Sequence, residues 1–186
     1  MLIFEFAKIT EFSDLQLVET YSQLSEPQRL YVDGLTPKKR IQSLCARALL
    51  NKLLIENTHN TVSQLAFDES GKPIILNSDL FVSLTHSYEY VGCALSDILV
   101  GIDIERVREV KQTVISRVCS SEEIDYINKN GTSHFFTFWT LKEAYIKANS
   151  SKLSKISDIS FVKDSRINDN VIFDELDGYK WAIITL

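Results

Sequence analysis

Apolar and polar positions alternate along this chain in two rhythms, one of period two and one of period 3.6, and the switches between them mark its elements. Met1–Thr10 is apolar but interrupted by Glu5 and Lys8, the pattern of a strand. Thr36-Pro37 is a helix start, with Thr as cap and Pro at the first helical position. From Lys38 to Glu56, Ile41, Leu44, Cys45, Ala48 and Leu49 mark the buried stripe of that helix. Gly71-Lys72-Pro73 then breaks the chain, and short strand-like runs follow at Ile74–Leu76, Leu80–Leu84, Tyr90–Ser96 and Ile98–Arg106. The last two lie so close that a hairpin turning near Ser96-Asp97 is predicted. Ser120-Ser121-Glu122-Glu123 has the spacing of a capping box. Phe135–Ala148 reads as a helix with Phe135, Phe138, Leu141 and Tyr145 on one face, and the tail returns to strands at Ile159–Val162, Val171–Phe173 and Tyr179–Thr185. Strands and helices thus mix in two comparable halves, a pattern that admits both α+β and α/β.

Composition narrows the class. The chain has 186 residues, of which 45% are hydrophobic and 24% charged, the balance of a globular protein rather than a disordered one. Its net charge of −5 disfavours nucleic-acid binding through overall charge. Cys45, Cys93 and Cys119 are odd in number and lack CxxC or zinc-ligand spacing, which points to reduced, partly buried thiols. The N-terminus lacks a signal-peptide cleavage pattern and no apolar run reaches bilayer length, so a soluble cytoplasmic protein without membrane contact is expected.

Four groups of residues have chemical potential. In Val100-Gly101-Ile102-Asp103-Ile104-Glu105-Arg106, strand alternation puts Asp103 and Glu105 on one face, about 7 Å apart, a start for a hard-cation site or simply a solvated face. On the predicted helix, Trp139, Glu143 and Lys147 form one ridge, where a carboxylate and an ammonium serve either as base and phosphate clamp or as an ordinary ion pair. Ser83, Thr85, His86 and Ser87 gather hydroxyls and an imidazole at a strand end, without the Gly-x-Ser-x-Gly elbow of a hydrolase. Arg40 and Arg47 share a helix face two turns apart, with Lys38 and Lys39 beside them and Lys72 in the Gly-Lys-Pro turn.

Each group alone has a bland reading; their order is more specific. Basic helix, Gly-Lys-Pro, Thr-His-Ser, Gly-x-Asp-x-Glu and Trp-x-x-Lys-Glu-Ala-x-x-Lys, in that order from about Thr36 to Ser154, resemble the Sfp-type 4′-phosphopantetheinyl transferases. The resemblance implies an α+β fold of two similar halves in a pseudo-twofold arrangement. These would be residues 1–100 on the coenzyme A side and 101–186 with the magnesium site and catalytic helix, packed as one unit. It implies a monomeric, magnesium-dependent enzyme that moves phosphopantetheine from coenzyme A to a serine of an apo acyl or peptidyl carrier protein. A non-catalytic coenzyme A or nucleotide-binding module of the same fold is the alternative.

Carried over by position, Asp103, Glu105 and Glu123 match the metal-binding acids, with the closing residue of the capping box as the alternative for Glu123. Glu143 matches the glutamate proposed to take the serine proton, and Lys147 the lysine at the pyrophosphate, with Lys142 beside both. Arg40 and His86 match the 3′-phosphate contacts, Arg47 a second basic position, Thr85 a serine near the phosphates and Lys72 the lysine near the adenine nucleotide. Arg106, Arg108 and Lys111 are candidates for meeting an acidic carrier. The chain departs from the family pattern in Ser83 for Asn, Thr85 for Ser, and Ser150–Ser154 for a glycine-rich loop.

Overall fold

Two antiparallel sheets, each backed by one long helix, organise the protein in a computed structural model that describes residues 1–58, 64–68, 72–149, 156–162 and 170–186. The first sheet has the order β1-β5-β4-β3-β2, from Leu2–Lys8 (β1), Leu65–Phe67 (β2), Pro73–Ile75 (β3), Phe81–Ser87 (β4) and Tyr90–Ser96 (β5). Its helix is α3, Pro37–Asn57, with Pro37 in the first turn as the sequence predicts. Leu44, Cys45, Leu49, Leu50, Leu53 and Leu54 of α3 pack on Val82, Val91, Cys93 and Leu95. Two short helices, α1 (Asp14–Gln23) and α2 (Glu26–Asp33), lie against α3.

The second sheet has the order β6-β8-β7, from Val100–Arg106 (β6), Val171–Leu176 (β7) and Tyr179–Thr185 (β8). Its helix is α6, His134–Asn149, whose Phe135, Phe136, Phe138, Leu141, Ala144 and Ala148 face a core with Ala182 and Ile184. The connecting helices are α4 (Gln112–Val118) and α5 (Ser121–Asn130). The architecture is therefore α+β, in two similar sheet-and-helix halves. Among the described residues no helix is long and apolar enough to cross a membrane.

Two expectations fail. β5 does not form a hairpin with β6: it pairs with β1 and β4, its hairpin partner being β4 through a turn at Tyr88–Glu89, and the chain crosses to the second sheet after Ser96. Ile159–Val162 is not a strand, because the Phe161 N–H goes to the Glu123 carboxylate and the Phe161 ring to the core around α6. The Ser150–Ser154 segment falls outside the described residues apart from its neighbours.

The halves meet along β4 and β6. One edge of β6 pairs with β8, and the N–H groups of its other edge go to side chains of β4. Ile102, Ile104 and Arg106 donate to the hydroxyls of Ser83, Thr85 and Ser87 at 3.1, 3.3 and 3.2 Å. Around this seam Leu2, Phe6 and Ala94 pack on Val100, Ile102, Ile183 and Trp181, and Tyr90 meets Tyr179 edge-on at 4.9 Å.

Candidate active site

The glycine of Gly-x-Asp-x-Glu decides where the acids sit. A Cβ at Gly101 would lie 1.9 Å from the Ala144 carbonyl oxygen and 2.6 Å from the Ala148 nitrogen, so β6 and α6 cross backbone against backbone there. Gly101, Asp103 and Glu105 alternate onto that same face, which brings the Glu143–Lys147 turn of α6 over Asp103.

Asp103 is buried, and its Oδ1 accepts from Lys147 Nζ at 2.7 Å and from Thr85 Oγ1 at 3.0 Å. Lys147 also donates to the Ile102 carbonyl at 3.0 Å, so the ammonium is fixed on β6 and its ion pair is with Asp103 rather than with Glu143. Asp103 Oδ2 is buried without a hydrogen-bond partner among the described residues. Glu105 Oε2 accepts from Ser87 Oγ at 2.9 Å and from Arg108 at 3.3 Å. Burial, then the Asp103 charge, raises the Glu105 pKa. The same two causes raise that of half-buried Glu143, with Glu105 adding to them and Lys147 opposing. Among the described residues, no three carboxylate, imidazole or thiol groups stand close enough together to enclose a metal ion.

His86, exposed on the other face of β4, has its pKa lowered by desolvation and then by the positive charges of Lys147 and Lys39. Lys72 reaches across from the first half to the Ala148 carbonyl at 3.2 Å, one residue from Lys147, and burial lowers its pKa. Arg40 pairs with Asp33 at 3.1 Å and lies over Tyr21, with 43% of its side chain exposed.

Three residues are placed elsewhere. Glu123 and Lys142 are both fully buried and joined to each other at 2.6 Å. Glu123 also accepts from the Ser120 and Phe161 N–H groups, and Lys142 donates to the Val118 and Ile156 carbonyls. The pair therefore ties α5, α6 and the 156–161 segment together, and Glu123 closes the capping box of α5 with Ser120. Arg47 is buried beneath Tyr31 and Phe67 and donates to Ser43, inside the first half. Thr85 gives its hydroxyl proton to Asp103, leaving it none for a phosphate.

The sequence reading missed the part played by Ser87, although polar residues at every second position of β4, between Val82, Leu84 and His86, signal a hydroxyl face. It also missed Tyr88, in a left-handed conformation with φ 48°, whose ring gathers Lys38, Arg106 and Arg108 within 4.8, 5.0 and 5.9 Å. These exposed cations stand beside Glu105. Below them Val110, Val114, Phe135, Phe136 and Trp139 line a cavity of about 250 Å³. All three cysteines are buried and free, and burial pushes the Cys45 thiol up to about 11 and Cys119 to about 12.

The family model of the 4′-phosphopantetheinyl transferase superfamily matches residues 99–183, from β6 to the end of β8. The chain is 33% identical over 129 residues to 4′-phosphopantetheinyl transferase gsp of Aneurinibacillus migulanus, covering 66% of this chain and 54% of that protein. It is 26% identical over 163 residues to 4′-phosphopantetheinyl transferase HetI of Nostoc, covering 81% and 67% respectively. It is 30% identical over 120 residues to 4′-phosphopantetheinyl transferase Sfp of Bacillus subtilis, covering 58% and 54%. The chain thus spans little more than half the length of several relatives it matches.

Proposed function

The chain belongs to the 4′-phosphopantetheinyl transferase superfamily, and on that premise we propose that it transfers phosphopantetheine from coenzyme A to a serine hydroxyl of an apo acyl or peptidyl carrier protein. The observation that carries this reading is the gathering of Asp103, Glu105, Glu143 and Lys147 where β6 crosses α6.

In the reaction, the serine Oγ bonds to the phosphorus bearing pantetheine. The bond from that phosphorus to the bridging oxygen breaks, and adenosine 3′,5′-bisphosphate leaves with the electron pair. Glu143 takes the serine proton: it accepts no hydrogen bond from a described residue, and its raised pKa makes it a better base than an exposed carboxylate. Lys147, fixed by Ile102 and Asp103, sets a positive charge beside the acids for the diphosphate. In this reading His86 on β4, Lys72 just before β3 and Arg40 on α3 meet the phosphates and nucleotide of coenzyme A.

The donor set suits a magnesium ion. Asp103 offers a buried oxygen with no hydrogen-bond partner among the described residues, and its charge helps raise the pKa of Glu105 and of Glu143, a repulsion that a cation relieves. Magnesium takes one or two carboxylates and completes its octahedron with water and substrate phosphate, so the open pair Asp103 and Glu105 fits it better than a closed cage would, with Glu143 left beside it as the base. When bound, the ion supplies Lewis-acid charge neutralisation on the phosphoryl oxygens.

The exposed cations Lys38, Arg106, Arg108 and Lys111 support an acidic partner. Chromatography of adenosine 3′,5′-bisphosphate after incubation with coenzyme A, magnesium and apo carrier tests the reading. Release that requires the carrier and matches it mole for mole is expected. Release without carrier would make the protein a phosphohydrolase, and coenzyme A binding without release would make it a non-catalytic module.

A further inference from the structure

Ser83, Thr85 and Ser87 occupy alternate positions on one face of β4, and each accepts one N–H from β6. As partners of an otherwise open strand edge the three rungs are equivalent. They differ in what they do with their own proton. Thr85 donates to Asp103 Oδ1 at 3.0 Å and Ser87 to Glu105 Oε2 at 2.9 Å, whereas Ser83 donates to no carboxylate among the described residues. A hydroxyl has a single proton, so accepting from the backbone on one side and donating to a carboxylate on the other fixes its orientation and the carboxylate's together. The bond to Thr85 and the ammonium of Lys147 share Oδ1, which leaves Oδ2 of Asp103 without a partner among the described residues.

We propose that Thr85 and Ser87 are positioning residues, through which the first half orients the metal-binding carboxylates Asp103 and Glu105 of the second. The cation site is then complete only when the halves are docked along β4 and β6. This inference rests on the metal reading given above. It assigns to Thr85 a role different from phosphate contact, and it gives Ser87 and the seam between the halves a part in function.

Manganese binding, followed on the whole protein by electron paramagnetic resonance without coenzyme A or carrier, tests the inference, because it reads the site and not turnover. Wild type, Ser83→Ala, Ser87→Ala, Thr85→Val and Thr85→Ser are compared, each with a thermal melt. Ser83→Ala removes a rung without touching a carboxylate, and its manganese affinity should stay within about twofold of wild type, while Ser87→Ala and Thr85→Val lose about tenfold or more. Thr85→Ser, which keeps the hydroxyl, should restore the affinity that Thr85→Val loses. Equal loss in all three rungs, or loss that follows the melting temperature rather than the carboxylate contact, would overturn the inference while leaving the metal reading intact. Should Thr85→Val not fold, the comparison of Ser87→Ala with Ser83→Ala decides. Absence of manganese binding by wild type would overturn the metal reading and the inference with it.

Discussion

Glu143 and the Glu123–Lys142 pair show two ways of burying charge, and they lead to opposite predictions. Glu143 is half-buried beside Asp103 and Glu105, and burial raises its pKa. Glu143→Gln keeps the shape and removes the proposed base, so kcat for transfer should fall by about 10²–10⁴ while KM for coenzyme A changes little; steady-state kinetics checks this. Without metal, the same substitution should raise the melting temperature at neutral pH. A carboxyl whose pKa is raised by folding contributes its stability below the ordinary carboxylate range and loses it as pH rises through the raised value. The gain should therefore vanish as pH falls toward the unperturbed range of carboxylates, and added magnesium should narrow it. Glu123 and Lys142, by contrast, satisfy each other and four backbone groups in a dry site. Removing one partner strands a buried charge, so Lys142→Ala should cost about 3–5 kcal/mol in a denaturant titration. Neither burial is legible in sequence, because Lys142 and Glu143 are neighbours and only packing shows which of them turns inward.

At the scale of elements, the crossing of β6 and α6 is what makes the acids into a site. Gly101→Ala would drive a methyl group into the Ala144 backbone, which no side-chain rotation relieves. Loss of about 3 kcal/mol is expected, or roughly 6–12 °C in a thermal melt, with transfer lost together with stability as β6 and α6 separate. The long helices were readable because Pro37 starts α3 and the Phe135–Ala148 apolar run marks α6. β8 was readable over its full length at Tyr179–Thr185. The hairpin at Ser96-Asp97 was misread because a short connection is the ordinary sign of strand pairing, whereas here it carries the chain between sheets. The apolar run at 159–162 has strand composition, yet its Phe161 backbone caps a carboxylate distant in sequence. That Asp103 and Glu105 share one face of a strand, and Glu143 and Lys147 one ridge of a helix, was legible by type and spacing. The displacement of Glu123, Lys142 and Arg47 was not, because each depends on contacts with other elements.

Across the whole molecule, charge and seam work together. The net charge is −5, yet Lys38, Arg106 and Arg108 converge on Tyr88 at the boundary of the halves, beside Glu105. A partner of like sign is thus attracted at one place and repelled elsewhere, which orients it toward the acids. Arg106→Glu should raise KM for an acidic carrier by about fivefold at low salt, and the difference should shrink in 0.5 M salt, where screening acts over only a few Å. KM for coenzyme A, measured in the same assay, should stay near wild type. The alternation of strands and helices announced two halves, but the hydroxyl ladder that joins them connects residues 18 or 19 apart in sequence through side chains, which no periodicity reports.

Intact-protein mass spectrometry of apo acyl and peptidyl carrier proteins, after incubation with this protein, coenzyme A and magnesium, decides whether the protein transfers phosphopantetheine. A gain of one phosphopantetheine on the carrier serine is expected, lost with EDTA and lost when that serine is replaced by alanine. An unchanged carrier mass across both carrier types, although coenzyme A binds, would overturn the proposed function.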